Sequence, residues 1–218
     1  MDNRAKIGRP SNNENKRAKL ISVARQLFVI YDYDKVSIRS IAKQAGVDSA
    51  LIRYYFQSKL GLFTAMVQET AAPVIAQFNK ESNALSVDSA SQLMTTYYHV
   101  MAQNPDFPKL IFKIASMQET ANSKALKKIL SDIINPKNFQ IFPLMQKQGL
   151  LKENVDPMCM QISFFSMMVF PFLMPDFFKQ LLQLETSPDF MATLALQNSQ
   201  LLQHGCITAE ITETKDIS

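Results

Sequence analysis

Residues 37–63 read SIRSIAKQAGVDSALIRYYFQSKLGLF, and this stretch decides the fold. Ser37 is suited to cap the start of a helix, and Gly46 can take the left-handed conformation that ends one. The apolar positions between them keep a helical period: Ile38, Ile41, Ala42 and Ala45. Asp48 can then cap a second short helix, Ser49–Tyr55. Two short helices joined at a glycine predict a helix-turn-helix, whose second helix fits the major groove of DNA.

Longer helices are predicted on both sides of this stretch. Upstream, a helix from about Glu14 to Asp32 carries apolar residues at helical spacing, and Tyr33–Val36 forms a loop. Downstream, Ser58 can cap a helix over Lys59–Asn83, which Pro73 should bend. Further helices are expected at about Asp88–Gln103, Asp106–Ala121, Lys124–Gly149 (disturbed at Pro136), Asp156–Leu184 and Pro188–Gln203. The sequence therefore predicts an all-α protein of about nine helices, with a three-helix N-terminal head on a larger helical body.

Basic residues are concentrated in the head. Residues 1–60 hold 12 Lys and Arg against five Asp and Glu, whereas the remaining 158 residues hold 11 against 14. All six arginines lie within the first 53 residues. Because the arginine fork binds phosphate oxygens and guanine edges, this asymmetry indicates a polyanion-binding head on a mildly acidic body.

The composition excludes several classes of protein. A chain of 218 residues with 47% hydrophobic and 19% charged residues is typical of a soluble globular protein. Residues 162–174, ISFFSMMVFPFLM, are too few to span a bilayer, and the polar N-terminus does not resemble a signal peptide. We therefore expect a cytoplasmic protein that does not enter a membrane.

The residues that enzymes and metalloproteins use are sparse. Cys159 and Cys206 fit neither a disulfide framework nor a zinc cluster, and His99 and His204 have no metal-ligand spacing around them. The sequence offers neither a glycine-rich phosphate loop nor an acid–base constellation. It therefore predicts no catalytic residue, no metal site and no cofactor.

The stretch Ser37–Phe63 resembles the TetR/AcrR family of bacterial transcriptional regulators. The matching residues are Ile41-Ala42, Ala45-Gly46-Val47, Tyr55-Phe56, Ser58-Lys59 and Leu62, with Ala24, Leu27-Phe28 and Tyr33 upstream. The resemblance is specific over about residues 15–65 and weakens beyond them. It implies a homodimeric DNA-binding regulator, more often a repressor, that binds a pseudo-palindromic operator. The boundaries expected are 1–13 for a flexible basic arm, 14–60 for the helix-turn-helix domain, 61–205 for a ligand-binding and dimerisation domain, and 206–218 for a disordered tail.

The resemblance also implies which residues contact DNA. Ser49, Ala50, Arg53 and Tyr54 fall on the helix that approaches bases or the adjacent backbone, and Ser37, Tyr55 and Lys59 fall where phosphates are bound. Three departures from the family pattern are present. Arg53 stands where tyrosine is common, Leu60 stands where an acidic residue commonly follows Lys59, and Asp32 stands where glycine is usual. We therefore expect Asp32 to adopt a left-handed conformation at the end of the first helix.

The N-terminal arm contains Gly8-Arg9-Pro10, which is similar to the core of minor-groove hooks. A narrow A·T-rich minor groove concentrates negative potential and attracts an inserted arginine. Arg9 is therefore a candidate DNA contact. The alternative is that the arm is only a solubilising tail.

The body is rich in methionine and phenylalanine. Eleven of the 12 methionines follow residue 60, and residues 156–178 alone hold five Met and six Phe. Methionine is flexible and polarizable, so such a region can line a pocket for an apolar or amphipathic small molecule. The candidate lining residues are Phe112, Met117, Phe142, Met145, Phe165 and Met168. The alternative is a solid core in a constitutive or partner-controlled DNA-binding protein.

The last two long helices are candidates for the dimer interface. Two heads on a two-fold axis read successive half-sites, so dimerisation follows from the DNA-binding prediction. The resemblance assigns Asp156–Leu184 and Pro188–Gln203 to this interface. Leu194, Leu201 and Leu202 supply an apolar stripe there. We expect isologous packing of the two pairs into a four-helix interface.

Overall fold

The structure is a computed structural model that describes residues 12–134 and 140–207, with side chains from residue 15 onwards. Within these ranges it contains eleven α-helices, one 3-10 turn (Tyr33–Lys35) and no β-strand. The helices are α1 (Asn12–Ile30), α2 (Ile38–Ala45), α3 (Ala50–Phe56), α4 (Lys59–Asn83), α5 (Ser89–Gln103), α6 (Phe107–Ala115), α7 (Ala121–Ile133), α8 (Ile141–Lys147), α9 (Pro157–Leu173), α10 (Asp176–Leu181) and α11 (Pro188–Cys206). The predicted all-α fold with an N-terminal helix-turn-helix is confirmed.

The chain divides into two compact units, Met1–Glu69 and Thr70–Ser218. The first unit holds α1, α2, α3 and the start of α4. Its core contains an aromatic cluster in which Phe28 stacks on Tyr33, with ring centroids 5.4 Å apart, and meets the edge of Phe63 at the same separation. Burial of Phe28 and Phe63 in this cluster stabilises the unit.

The second unit holds the rest of α4 and helices α5 to α11. Its interior is mostly apolar, and a set of hydrogen bonds around Tyr98 connects three of its helices. The hydroxyl of Tyr98 on α5 donates to the backbone carbonyl of Met167 on α9 at 2.8 Å and accepts from the side-chain amide of Asn198 on α11 at 3.1 Å. A buried hydroxyl with both bonds made fixes the three helices in one arrangement.

One predicted helix is divided in the structure. The expected helix Asp156–Leu184 is α9 followed by α10, because Pro175 lies between them. A proline disfavours helical backbone at the preceding residue, and Met174 is extended, with φ −53° and ψ 123°. The predicted cap at Asp156 is confirmed, since its Oδ1 accepts from the backbone N–H groups of Met158 and Cys159 at 2.9 and 2.7 Å.

Two further helix boundaries differ from the prediction. The expected helix Lys124–Gly149 is replaced by α7, which ends at Ile133, and α8, which begins at Ile141. The expected helix Asp106–Ala121 ends earlier, since α6 stops at Ala115. The prediction placed a disturbance of the first of these helices at Pro136, between the two observed helices and outside the described residues. Apolar spacing did not reveal the exact residues at which the backbone leaves the helix.

The expectation of a left-handed Asp32 is wrong. Its φ is −64° and its ψ is 145°, which is extended backbone that any residue adopts. The first helix ends at Ile30, and Asp32 then starts the 3-10 turn, with its carboxylate 3.4 Å from the ammonium of Lys35. A 3-10 turn reverses the chain here without a left-handed residue, so aspartate causes no strain.

No helix in the two described ranges combines the length and the hydropathy needed to cross a membrane.

Candidate nucleic-acid interface

Helix α2 is fixed at both ends by its own sequence. The hydroxyl of Ser37 accepts from the backbone N–H of Ser40 at 3.0 Å, and the hydroxyl of Ser40 accepts from the N–H of Ser37 at 3.1 Å. This reciprocal pair forms a capping box. At the other end Gly46 is left-handed, with φ 64° and ψ 37°. The predicted N-cap at Ser37 and the predicted left-handed Gly46 at the end of the helix are confirmed.

Helix α3 follows after a short turn. The carboxylate of Asp48 accepts from the backbone N–H of Ala50 at 2.7 Å, as the sequence predicts. The helix buries Ile52 and Phe56, which lie one turn apart on its inner face. Ser49 precedes the helix and is half-buried, and its side chain makes no capping bond.

The outer face of α3 is free of core contacts. Ala50, Arg53 and Tyr54 are exposed, and their spacing of three and four residues places them on one face. Tyr54 is 75% exposed, although an isolated aromatic ring gains free energy from burial. Its ring meets the half-buried Tyr55 edge-on at 4.9 Å. These residues contribute little to folding and are available for a ligand.

Exposed cations accompany this face. Arg53 on α3 and Arg39 and Lys43 on α2 are exposed, and none of them has an ion-pair partner in the described part of the chain. Arg39 and Lys43 are four residues apart on the side of α2 opposite the buried Ile41. Unpaired cations on two successive short helices create a positive surface suited to phosphate.

Arg17, in contrast, makes its contacts inside the first unit. Its guanidinium bonds the carboxylate of Glu69 at 2.5 Å and lies over the ring of Phe56, 5.2 Å from the centroid. Burial lowers the pKa of the neighbouring Arg25, and the charge of Glu69 opposes that shift. The concentration of arginine in the head therefore includes structural residues as well as surface ones.

Lys59 has a different environment from the phosphate site that the resemblance implies. Its Nζ donates to the backbone carbonyls of Tyr33 and Val36, both at 2.9 Å, and lies 4.2 Å from the centroid of the Tyr33 ring. Burial lowers the pKa of this ammonium, and the carboxylate of Asp34 opposes the shift. Two of its three N–H groups are thus committed to the loop that precedes α2. The structure therefore gives Lys59 a part in positioning that helix.

The remaining predicted contacts are placed as follows. Ser37 is exposed at the start of α2, with its oxygen engaged in the capping box. Arg9 lies outside the described residues. Ser58 accepts from the backbone N–H of Gly61 at 3.0 Å, which confirms its predicted cap on α4.

The second unit contains an apolar cavity of about 290 Å³. Helices α4, α5, α6 and α9 surround it. Among the described residues, the lining side chains are hydrocarbons, thioethers and aromatic rings, and Tyr97 adds one hydroxyl. The lining residues are Ala71, Val74, Ile75, Phe78, Tyr97, Met101, Phe107, Pro108, Ile111, Phe112, Ala115, Ile134, Phe165, Met168 and Val169. Phe112 is 59% exposed, so the cavity reaches the surface at α6.

The structure brings three of the six predicted pocket residues together around this cavity, namely Phe112, Phe165 and Met168. The other three do not line it. Phe142 and Met145 are fully buried, with the ring of Phe142 edge-on to that of Phe164 at 5.2 Å. Met117 follows α6, and its backbone carbonyl accepts from the ammonium of Lys127 at 2.8 Å. The lining residues of α4 and α5 were not predicted, because their spacing looks the same as that of a solid core.

The helix-turn-helix matches a known family. The family model described as "Bacterial regulatory proteins, tetR family" matches residues 20–66, which cover most of α1 and all of α2 and α3. The chain belongs to this family. Its members are transcriptional regulators, so the predicted resemblance and the predicted class of function are confirmed.

Relatives of this tetR-family regulator extend over the second unit as well. The probable HTH-type transcriptional regulator YttP of Bacillus subtilis is 24% identical over 173 residues, which cover 77% of this chain and 82% of YttP. A putative fatty acid metabolism regulator of Clostridium perfringens has a TM-score of 0.66 at 15% identity, covering 88% of this chain and all of that one. FadR of Bacillus subtilis, in complex with stearoyl-CoA, has a TM-score of 0.62 at 16% identity, covering 86% and 98%. These structures share the fold of the tetR-family chain.

A second surface of the tetR-family chain lies on α9 and α11. Ile162 on α9 and Leu196 and Leu201 on α11 are 67%, 61% and 60% exposed. Of the stripe predicted from the sequence, Leu201 is exposed, Leu194 is half-buried and Leu202 is buried inside the unit. The exposed apolar side chains of α9 also include Met158 and Phe170. Contiguous apolar exposure of this kind marks an interaction surface.

Arg39 and Lys43 were not predicted as DNA contacts. Their positions opposite the apolar face of α2 indicate that both side chains point away from the core. The resemblance implied base contacts on α3 only, so these two residues of α2 were missed.

Proposed function

We propose that this tetR-family regulator binds a pseudo-palindromic operator as a homodimer, as a repressor that a small apolar molecule releases. The observation that carries the DNA-binding part is the outer face of α3, which presents Ala50, Arg53 and Tyr54 and buries none of them. Natural proteins rarely leave a large aromatic ring and an unpaired arginine together on a well-capped helix without a ligand for them.

The proposed contacts divide by chemistry. Arg53 has the length and the fork to read guanine in the major groove, and Tyr54 stands beside it to pack on bases or sugars. Arg39 and Lys43 on α2 supply charge for the phosphates, together with the start of α2 at Ser37. Ser49 and Tyr55 border the reading face, and Arg9 remains a proposed minor-groove contact. Lys59 supports this surface by holding the loop before α2.

The homodimer is proposed from the apolar surface on α9 and α11. One helix-turn-helix reads only a few base pairs, so tight and specific binding needs two on a two-fold axis. The exposed apolar side chains of the two helices are large and uncharged, which suits an isologous four-helix interface.

The ligand is proposed from the cavity. Its volume of about 290 Å³ is at the lower end of small-molecule sites, which run to about 1,000 Å³. An empty apolar space of this size costs stability, so its presence disfavours a solid, constitutive body. FadR of Bacillus subtilis has the same fold and was crystallised with stearoyl-CoA. That likeness of fold supports the proposal of a ligand-responsive body without identifying the ligand.

Helix α4 is the proposed connection between ligand and operator. Its N-terminal part buries Leu62 and Phe63 in the first unit, and Val74 and Phe78 line the cavity of the second. A ligand that binds better to one position of α4 than to another shifts the equilibrium between them. It thereby changes the fraction of dimers whose two helix-turn-helix units match successive major grooves. Such coupling is typically about 1–3 kcal/mol.

Arg53→Ala is expected to weaken binding to the preferred operator by about 1–3 kcal/mol and to relax preference at one base position. The reason is that a bidentate contact to a base is lost and no other side chain replaces it. The preferred duplex is first selected from a random pool and then titrated with both proteins. Arg39→Ala is the matched control, since it removes an exposed arginine proposed to contact phosphate. If both variants weaken all sequences alike, α3 does not read bases.

Ligand and operator are expected to weaken each other's binding by the same factor, about fivefold to 150-fold. A ligand obtained by thermal-shift screening of apolar compounds is titrated by calorimetry with and without the operator duplex. Ile111→Trp fills the cavity with a larger side chain. Operator binding by this variant should stay the same and should no longer respond to the ligand. An identical ligand affinity in the presence and absence of operator would contradict the coupling.

A further inference from the structure

We infer that the ligand of the apolar cavity is an uncharged molecule with one hydrogen-bond acceptor, such as the carbonyl of a ketone or ester, and that Tyr97 donates to it. This rests on the proposed ligand-responsive function and names the chemical class of the ligand. The inference follows from the wall of the cavity, from the environment of the Tyr97 hydroxyl and from the contrast with its neighbour Tyr98.

The wall selects against charge. Among the described residues that line the cavity none is charged, and Tyr97 is the one that carries a hydroxyl. Transfer of an ionised carboxylate or ammonium into such surroundings is costly unless a partner of opposite charge is present. The buried part of the ligand must therefore be neutral, and most of it must be hydrocarbon.

The hydroxyl of Tyr97 lacks a partner within residues 12–134 and 140–207. Its ring is nevertheless held firmly, edge-on to Phe172 at 5.9 Å and to Tyr98 at 6.5 Å. Tyr98, one residue along α5, makes both of its hydrogen bonds, to Met167 and Asn198. Tyr98 is thus satisfied inside the protein, whereas Tyr97 lines the cavity and its hydroxyl makes no hydrogen bond among the described residues.

The phenol remains a donor at any physiological pH. Burial raises the pKa of Tyr97 above the ordinary tyrosine value, and the adjacent Tyr98 adds to the shift. A donor at the wall of an apolar cavity lacks a hydrogen bond that a ligand carbonyl can supply. Sites built to hydrogen-bond one ligand group reject analogues that lack it, so this hydroxyl provides selectivity as well as affinity.

The test uses an isosteric pair of probes, 2-octanone and 2-methyl-1-octene, which differ in the acceptor and keep the same shape. Each probe displaces the neutral fluorophore 1-aminoanthracene from the full-length protein in a sealed cell. The titrations are repeated with Tyr97→Phe, which removes the hydroxyl and keeps the ring, and with Tyr31→Phe as the control for loss of an exposed hydroxyl. Octanoate is the charged probe.

In Tyr97→Phe the ketone is expected to bind about fivefold to tenfold more weakly, with the alkene unchanged. Tyr31→Phe should alter neither, and octanoate should bind the wild-type protein far more weakly than the ketone. Because both probes are compared in one variant, general damage to the cavity cancels in the ratio. An unchanged ketone-to-alkene ratio, equal binding of octanoate, or failure of both neutral probes to displace the fluorophore would overturn the inference. A different result would contradict the proposed function, namely a ligand that binds the cavity without changing the affinity for the operator.

Discussion

The double substitution Ile162→Glu and Leu196→Glu is expected to make the protein monomeric and to weaken operator binding by about 100-fold to 10,000-fold. Both side chains are more than 60% exposed, so the substitutions remove little from the folded monomer. In a two-fold interface each glutamate is buried without a partner and occurs twice. The second head then no longer binds at the high effective concentration that the dimer provides.

Sedimentation velocity measures the oligomeric state, and titration of a full operator and of a half-site measures the affinities. The double variant is expected to bind the full operator and the half-site with the same weak affinity. Gln118→Glu introduces one glutamate at an exposed position on neither helix and should behave as the wild type. A dimer that survives the double substitution would show that α9 and α11 are not the interface.

Lys59→Met is expected to lower the free energy of unfolding of the first unit by about 2–4 kcal/mol. The substitution keeps an unbranched apolar stem but removes two charge-assisted hydrogen bonds to carbonyls and the contact with the ring of Tyr33. The carbonyls of Tyr33 and Val36 then lose their donor, and the loop before α2 is freed. Hydrogen exchange of the α2 and α3 amides reports this opening directly.

The salt dependence of operator binding separates the two roles of Lys59. If it positions the loop, the variant loses affinity through a smaller folded population, and the slope of log K against log salt stays the same. If it binds phosphate, the slope falls by about one and the exchange rates do not change. Lys35→Met is the control, because Lys35 is exposed and its ammonium is 3.4 Å from the carboxylate of Asp32, an exposed ion pair that contributes little stability.

Local chemistry could be read from the sequence, and tertiary geometry could not. The caps at Ser37, Asp48 and Ser58 and the left-handed Gly46 were predicted correctly, because each depends on backbone groups a few residues away. The environment of Lys59 depends on residues 23 and 26 positions distant, and no local pattern contains it. The error at Asp32 has another cause, because the adjacent 3-10 turn that sets its conformation was not predicted.

The cavity shows the limit more sharply. Phe165 and Met168 line it, whereas Met145 and Phe142 belong to the solid core, and all four are large apolar residues at helical spacing. Periodicity tells which side of a helix faces inward, but it does not tell whether the facing helices touch or leave a space. Tyr97 could not be distinguished from Tyr98 for the same reason. Their hydrogen bonds, rather than their positions in the sequence, give them different roles.

The outward residues of α3 bury nothing, and this has a consequence for how such proteins diverge. Ala50, Arg53 and Tyr54 can be exchanged for other side chains while Ile52 and Phe56 keep the helix in place. Duplicated copies can therefore acquire new target sequences through three codons without passing through an unfolded intermediate. A library randomised at those codons should yield well-folded variants of altered specificity.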